Sequence, residues 1–374
     1  MHVVTQAPPV VAAPLADSPL GRTVALGPTD IWNDSCAIDE LEYAISFGAV
    51  GATANPVIIH DVWKKDPAHW RDRVQALAEE HRGWSETDLA WAIVEEASVR
   101  ATPLLLPAFE RFGGRKGRLS IQTNPTYFRT VGPMLEQGLR FDSLAPNVIV
   151  KFPATKAGIE VMEEATFRGV NVNCTVSFSV AQAVAAAEAV ERGLSRREAA
   201  GLPTESMGPV ITIMVGRIED WLRVQTERDG IVADPAALPW SGVAVFKRAY
   251  QIFRERRFRA RPLAAAIRHH LHWSEFIGGE CVVTLPAGWQ RRFNASDVEV
   301  RPRMDEPVDS AIVAELLAHY PDFRRAYEPD GLTIDDFDRF PPTVRTLRQF
   351  IGSYHDLLHA VSDAILPNPD TRAG

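Results

Sequence analysis

The chain has 374 residues, of which 46% are hydrophobic and 24% charged, a balance typical of a globular protein. Its formal net charge of -8 at pH 7 argues against a general nucleic-acid binder, which normally presents a basic face. Three cysteines without a Cys-x-x-Cys pair indicate neither a disulfide framework nor a zinc ribbon, and favour a reducing, cytoplasmic location. No apolar stretch of the sequence reaches the length of a membrane span.

The first residues differ in composition from the rest. Residues 1–28 are rich in alanine, proline and valine, but they lack the basic start and continuous apolar segment of a signal peptide. We therefore predict a disordered leader over residues 1–28 and a single decorated domain over residues 29–374.

From about residue 29, short apolar runs alternate with longer amphipathic ones. Continuous apolar runs predict parallel strands covered on both faces, and their alternation with helices predicts βαβ units. The eight predicted strands cover residues 30–34, 49–54, 118–123, 147–152, 171–178, 210–215, 261–267 and 280–285. Because no Gly-x-Gly-x-x-Gly follows the first strand, we expect an α/β fold of the (β/α)8 TIM-barrel type rather than a dinucleotide-binding sheet.

Helical patterns fill the intervals between the strands. Predicted helices cover residues 63–80, 85–100 with Ser85 as N-cap, 156–168 and 180–192. Helical insertions are expected at 57–117, at 218–260 and after 286. An amphipathic C-terminal helix at 343–366 is expected to pack on the barrel.

Polar and charged residues stand at or just beyond the ends of these apolar strands, where TIM-barrel enzymes carry their reactive groups. They are Asp34, Asn55, Gln122, Lys151, Asn173, Thr175, Thr212, Arg217 and Arg268. An unsatisfied buried polar group costs about 1–3 kcal/mol, so such residues need a reason to point inward. We predict that they converge on one cavity.

Lys151 stands inside the apolar run Val148-Ile149-Val150-Lys151-Phe152-Pro153. Desolvation disfavours the charged ammonium, and the neutral amine is the form that attacks a carbonyl. The sequence therefore indicates a Schiff-base nucleophile. The alternative is a lysine at a strand end whose ammonium reaches solvent.

Four segments carry a resemblance to the transaldolase family. Gly51-Ala52-Thr53-Ala54-Asn55-Pro56 resembles its Gly-x-Thr-x-Asn-Pro segment, and Val150-Lys151-Phe152-Pro153-Ala154-Thr155 is similar to the strand that bears its Schiff-base lysine. Val172-Asn173-Cys174-Thr175 with Phe178-Ser179 resembles its Asn-x-Thr-Leu-x-Phe-Ser strand, and Val215-Gly216-Arg217-Ile218-Glu219-Asp220-Trp221 its Val-Gly-Arg-Ile-x-Asp-Trp segment. The four matches occur in family order.

The resemblance implies a role for each matched residue. Lys151 would form an imine with a ketose, Asp34 would take and return the proton of a sugar hydroxyl, and Thr175 would position the catalytic water. Asn55 and Asn173 would hold donor hydroxyls, with Thr212 in place of a donor-binding serine. Arg217 and Arg268 would grip a phosphate. The implied activity is transfer of a three-carbon dihydroxyacetone unit from a sugar or sugar phosphate to an aldehyde, in carbohydrate metabolism, without a cofactor or metal. The assembly state is left open, with a homo-oligomer among the options.

Besides Thr212, three positions depart from the patterns of these enzymes. Gln122 stands where most transaldolases have a glutamate that helps to activate water, and in this it is similar to fructose-6-phosphate aldolases. Those aldolases, however, carry a tyrosine where this chain has Met214, and Ala266 stands where a phosphate-binding serine is expected. A class I aldolase that releases the ketone therefore stays open. So does a catalytically silent homologue that binds a sugar phosphate, although the retained Lys151 argues against it.

Two further segments are rich in ionisable residues. The arginine-rich run 254–261 predicts a solvated helix end and loop. Arg268-His269-His270-Leu271-His272 carries three histidines without a His-Glu-x-x-His pattern. A role in lining the mouth of the barrel near Arg268 is favoured over metal binding, and the alternative is that they are ordinary loop histidines.

Overall fold

The computed structural model describes residues 15–366 and residue 370. Within them, eight parallel strands close into a barrel in chain order, and the last strand pairs with the first. This confirms the predicted (β/α)8 TIM barrel. The strands are β1 (Asp30–Asn33), β2 (Gly51–Thr53), β3 (Arg118–Gln122), β4 (Val148–Pro153), β5 (Val172–Thr175), β6 (Val210–Ile213), β7 (Arg261–Ala264) and β8 (Val282–Leu285).

Helices separate and decorate the strands. Up to β6 they are α1 (Pro19–Leu26), α2 (Ile38–Ser46), α3 (Pro56–Lys65), α4 (Pro67–Glu80), α5 (Glu86–Val99), α6 (Thr102–Arg111), α7 (Val131–Asp142), α8 (Lys156–Phe167) and α9 (Val180–Ala199). After β6 they are α10 (Val215–Asp229), α11 (Ser241–Arg256), α12 (Leu271–Ser274), α13 (Ala287–Asn294), α14 (Ser310–His319), α15 (Pro321–Tyr327) and α16 (Pro341–Ile365).

The lower part of the barrel interior is filled by apolar side chains. They form a cluster of their own, contributed by Trp32, Ile149, Val210, Leu263, Ala265 and Val282. Gly51 makes room for the largest of them, since a Cβ at Gly51 would lie 2.4 Å from the Trp32 ring. Side chains alternate along a strand, so a residue two positions after a member of this layer also faces the interior. This apolar layer, which we call the apolar floor, therefore lies beneath the side chains that follow it on the same strand faces.

Several strands end earlier than predicted. Val176 and Ala266 have φ of 52° and 62°, a left-handed conformation that ends the extended chain after β5 and β7. Beyond β6, Val215 is buried but already begins α10. A buried apolar residue can belong either to a strand or to the first turn of a helix. The apolar pattern of β6 therefore continues into α10, and the predicted strand was too long.

The insertion after β2 confirms one predicted helix and corrects another. Ser85 caps α5 in a reciprocal capping box with Asp88, as its sequence indicates. The single helix predicted over residues 63–80 is wrong, because the chain is interrupted at Asp66, which caps α4 ahead of Pro67. The missing N–H of a proline is tolerated at the first position of a helix but not inside one.

The predicted disordered leader is wrong for residues 15–28. Ser18 caps α1 by accepting a hydrogen bond from the Gly21 amide, and Pro19 occupies the first helical position. Leu20 is fully buried, and its amide donates to the Asn294 side chain at 3.0 Å. Residues 1–14 of the predicted leader lie outside the described residues.

The C-terminal helix α16 confirms the prediction of a long amphipathic helix, with bounds within two residues of those expected. It lies against α3, α4 and α5 and buries Leu347, Phe350 and Leu357. Across this contact, the Gln75 amide donates to the Ala364 carbonyl at 3.1 Å. In the part of the chain that the structure describes, no helix is both long and apolar enough to cross a bilayer. The single-domain assignment stays a prediction.

Candidate active site

A cavity of about 260 Å³ opens at the carboxyl ends of the strands. Its walls include most of the predicted site residues, namely Asp34, Asn55, Lys151, Thr175, Thr212, Arg217 and Arg268. Several stand two positions after a residue of the apolar floor: Asp34 after Trp32, Lys151 after Ile149, and Thr212 after Val210. Strand periodicity therefore stacks a polar layer directly on the apolar one.

Lys151 lies deep in this cavity, with only 6% of its surface exposed. Burial lowers the pKa of its ammonium from 10.5 to about 8, although the nearby Asp34 carboxylate acts in the opposite direction. No hydrogen bond to Nζ occurs among the described residues, so desolvation is not offset by a bound partner. A substantial fraction of the side chain is then a neutral amine near pH 8.

Asp34 follows β1 and is held by Thr53 on the adjacent strand, whose hydroxyl donates to Oδ1. Thr53 is not among the predicted site residues, although it belongs to the segment 51–55. In that segment Gly51, Thr53 and Asn55 share one strand face, the face that Gly51 opens for Trp32. Asn55 also caps α3, its side chain accepting from the Ile58 amide at 3.0 Å. One short segment therefore fixes a carboxylate and begins a helix at the cavity rim.

Asn173 and Gln122 flank Lys151 in strand register but do not belong to the cavity lining. Asn173 accepts a hydrogen bond from Thr212 at 2.8 Å and donates one to Ser120 at 3.0 Å. Gln122 is buried, and its Oε1 has no hydrogen-bond partner among the described residues. A buried carbonyl oxygen without a hydrogen bond costs free energy. A hydrogen-bond donor from a bound ligand would remove this cost. The predicted roles of both residues in substrate chemistry stay predictions.

Arg217 and Arg268 form a cationic rim on the same cavity. Arg268 makes two hydrogen bonds to Asp220, at 3.1 and 2.7 Å, which fix its guanidinium. Burial, and next the charge of Arg268, lower the pKa of Arg217 to about 10. Arg217 remains protonated at neutral pH, and its buried Nε lacks a partner among the described residues. Two facing cations and an unpaired donor make this rim suitable for an anion.

The C-terminal helix completes the cavity, which the sequence analysis did not anticipate. Phe350 of α16 lines it, and the Arg217 guanidinium lies 5.5 Å from the centre of the Phe350 ring. The neighbouring Gln349 accepts a hydrogen bond from Arg217 at 2.6 Å. A regular amphipathic pattern predicts that a helix packs, but not which of its residues meet an arginine far away in sequence.

The three histidines lie behind Arg268 rather than in the lining of the cavity. His272 is fully buried, and its Nδ1 accepts a hydrogen bond from the Arg268 amide at 3.2 Å. His269 contacts Glu219 at 2.8 Å. Burial opposes ionisation of Glu219, but hydrogen bonds from His269 and Arg223 outweigh it and hold its pKa at about 2.

Glu219, His269 and His272 could bring three ligand atoms within 4.8 Å of one another. The tautomer argues against a metal in this arrangement. Because His272 Nδ1 accepts from a backbone amide, the ring proton belongs on Nε2, the atom that faces Glu219 at 3.8 Å. We interpret the cluster as support for the Arg268 backbone.

Comparisons of the sequence with known proteins identify one family and several relatives. The sequence model of the family Transaldolase/Fructose-6-phosphate aldolase matches residues 31–322. A protein named Transaldolase from Thiobacillus denitrificans is 28% identical over 287 residues, covering 71% of this chain and 79% of that protein. A Transaldolase from Neisseria gonorrhoeae is 29% identical over 267 residues, or 68% of this chain and 73% of that protein. Transaldolase 1 from Streptomyces avermitilis is 28% identical over 262 residues, with shares of 64% and 68%.

Proposed function

The chain belongs to the transaldolase/fructose-6-phosphate aldolase family, and from this premise we propose that it is a transaldolase acting through an imine at Lys151. It cleaves a ketose, preferably a sugar phosphate, and transfers the three-carbon dihydroxyacetone unit to an aldehyde. The observation that carries the proposal is the buried Lys151, with its pKa lowered to about 8, in the same cavity as Asp34. The location proposed for this chemistry is the cytoplasm.

The chemistry follows from those two groups. The neutral Lys151 amine adds to the ketose carbonyl and water leaves, giving an imine that accepts the electrons released when the bond between its α- and β-carbons breaks. Asp34 accepts the proton of the hydroxyl two carbons from the imine carbon as that bond breaks and the aldehyde departs. The enamine left on Lys151 attacks the acceptor aldehyde, whose oxygen takes the proton back. Thr175, at the end of β5 in the same lining, is assigned to position the water of imine formation and hydrolysis.

The cationic rim supports a phosphorylated substrate. A planar guanidinium binds phosphate oxygens through paired hydrogen bonds, and Arg217 and Arg268 both face the cavity. The sugar hydroxyls are assigned to Asn55, Asn173 and Thr212. Of these residues, Thr212 lines the cavity and already donates to Asn173, so its hydroxyl oxygen is pre-oriented to accept a hydrogen bond from a substrate hydroxyl.

Borohydride trapping tests the proposal. The enzyme is incubated with ketoses, ketose phosphates and dihydroxyacetone, reduced, and analysed by peptide mass spectrometry. We expect a reduced adduct on Lys151 and none in Lys151→Ala. Lys156→Ala removes a nearby lysine that is exposed and paired with Asp335, and it should keep the adduct. A folded protein that gives no adduct with any ketose would favour a silent sugar-phosphate-binding homologue instead.

Gln122 favours a second candidate, a class I aldolase that releases dihydroxyacetone. Its buried amide cannot ionise, so it cannot activate a water as a carboxylate would. Met214 in the cavity wall opposes this candidate, because fructose-6-phosphate aldolases carry a tyrosine at this position. Donor cleavage measured with and without an acceptor aldehyde separates the candidates: a transaldolase turns over only with the acceptor, and an aldolase does so without it.

A further inference from the structure

A second concave region lies at the opposite end of the barrel from Lys151, where the strands begin. It consists of two cavities of about 200 and 380 Å³. Both are lined by Arg115, Arg259, Arg261 and Glu280, which precede or begin β3, β7 and β8. We call these two cavities together the basal pocket. TIM-barrel chemistry uses the other end, so the proposed reaction does not account for this region.

The basal pocket is strongly basic, although the chain as a whole carries a net charge of -8. Its cationic lining residues are Arg115, Lys116, Arg254, Arg257, Arg259 and Arg261. Glu280 is the acid in both linings. Concentrating cations in a concave surface raises the local potential and draws anions to it.

Some of these cations are already neutralised. The Asp30 carboxylate serves both Lys116, at 2.8 Å, and Arg261. Outside the lining, Asp305 pairs with Arg254 at 2.7 Å. Arg259 pairs in the same way with Glu191 at 3.0 Å and with Glu198.

Others have no partner. The guanidinium groups of Arg115 and Arg257 make no hydrogen bond or ion pair within residues 15–366 and 370. Arg261 binds Asp30 through Nη1, but its Nη2 is buried without any partner in the described part of the chain. A buried charged donor left unsatisfied is costly unless a ligand completes it.

The backbone at Arg257 is a separate observation. Arg257 ends α11 with φ of 56° and ψ of 41°, the left-handed position at which glycine costs least. A long cationic side chain therefore stands where the backbone favours none, and it faces the larger cavity. The sequence predicts that the arginine-rich run 254–261 is a solvated helix end and loop. That holds for Arg257, but the Arg261 side chain is only 12% exposed.

We propose that the basal pocket binds a small molecule carrying a phosphoryl group, independently of the active site. Arg115 and Arg257 supply free guanidinium groups for its oxygens, and Arg261 Nη2 supplies an inward donor. Glu280 accepts a hydrogen bond from a hydroxyl of the organic part. The same carboxylate repels an extended polyanion, which favours a small ligand over nucleic acid.

The test is isothermal titration calorimetry with inorganic pyrophosphate, ATP and glucose 6-phosphate as separate probes. It compares the wild type with Arg115→Ala/Arg257→Ala. The control Arg71→Ala/Arg129→Ala also removes two exposed arginines, outside the basal pocket, and matches the change in net charge. A third variant, Arg217→Ala/Arg268→Ala, removes the anion rim of the proposed active site.

We expect at least one probe to bind with an affinity that falls at least tenfold in Arg115→Ala/Arg257→Ala and is kept in the other two variants. The probe that binds most tightly identifies the class of phosphorylated ligand: inorganic, nucleotide or sugar phosphate. Equal affinity in the wild type and Arg115→Ala/Arg257→Ala, or no binding of any probe, overturns the proposal. Tighter binding of a short single-stranded DNA, with the same sensitivity to Arg115 and Arg257, overturns it in favour of nucleic acid.

Discussion

The Thr53 hydroxyl donates a hydrogen bond to Oδ1 of Asp34 between the first two strands of the barrel. This bond fixes one carboxylate oxygen, and among the described residues the other oxygen has no hydrogen-bond partner; Asp34 and Lys151 line the same cavity. A hydrogen bond to a charged group contributes about 1.5–3 kcal/mol, which corresponds to roughly one to two powers of ten in a rate. Thr53 is therefore a positioning residue for the assigned proton acceptor.

Thr53→Val keeps the shape of the side chain and removes the hydroxyl. We expect kcat/KM for ketose cleavage to fall roughly tenfold to a hundredfold, while borohydride trapping at Lys151 is retained. Thr53→Ser, which keeps the donor, should restore most of the rate. If turnover in Thr53→Val is unchanged, the orientation of Asp34 by Thr53 does not contribute to the proton-transfer step.

Imine formation should depend on pH through Lys151. Since its pKa is lowered to about 8 and only the neutral amine attacks, the trapping rate should rise about tenfold per pH unit below 8 and level off above it. Asp34 raises this pKa, so Asp34→Asn should move the midpoint to lower pH. Trapping rates measured across pH 6 to 10 on both proteins check this. A midpoint near 10.5 would mean that the lysine is solvated.

The buried lysine should also cost stability. A shift of its pKa from 10.5 to about 8 corresponds to about 3 kcal/mol, at about 1.4 kcal/mol per unit. Below pH 8 the side chain is charged in both the folded and unfolded states, so the full cost applies. Between pH 8 and 10.5 the folded protein binds fewer protons than the unfolded one, and stability rises with pH.

Lys151→Met should therefore be more stable than the wild type at pH 7, with a smaller advantage at pH 9.5. Urea denaturation at the two pH values measures the difference. Lys156→Met, at an exposed lysine, is the control and should show no such dependence. An advantage that grows with pH would contradict the assigned sign.

The contacts from α16 should affect substrate affinity more than chemistry. Gln349→Ala releases Arg217, and Phe350→Ala removes the ring beside its guanidinium. We expect either change to raise KM for a phosphorylated ketose several-fold, with kcat changed less. The same variants should leave KM for dihydroxyacetone nearly unchanged, because that ketose has no phosphate to place at Arg217. An equal rise for both substrates would assign α16 a general packing role.

The sequence predicted the barrel because its signals are local. An apolar run such as 148–152 defines a strand without reference to the rest of the chain, and a lysine within it is visible at once. The predicted strand ends were less accurate where a left-handed backbone conformation ends the strand. Ala266 has a φ of 62°, but no glycine at that position indicates this conformation in the sequence. The helix at Pro19 did have a signal, a serine followed by proline, but the composition of the leader outweighed it.

Contacts between distant segments could not be predicted in the same way. Thr53 reaches Asp34 because β1 and β2 pair, and Gln349 reaches Arg217 because α16 packs beside the barrel mouth. Neither contact produces a periodic pattern in the sequence from which it could be predicted. The lining of the basal pocket is similar, since Arg115 and Arg257 come together only through barrel closure.

Because Phe350 of α16 lines the cavity and the neighbouring Gln349 bonds to Arg217, the proposed active site is completed late in synthesis. Asp34 is synthesised early and Lys151 near the middle of the chain, and the last barrel strand is complete once Leu285 has been added. Nascent chains without residues 349 and 350 would contain Lys151 but not the contacts that α16 makes with Arg217. Since domains tend to fold as they emerge, binding of phosphorylated ketose should begin only once α16 has left the exit tunnel.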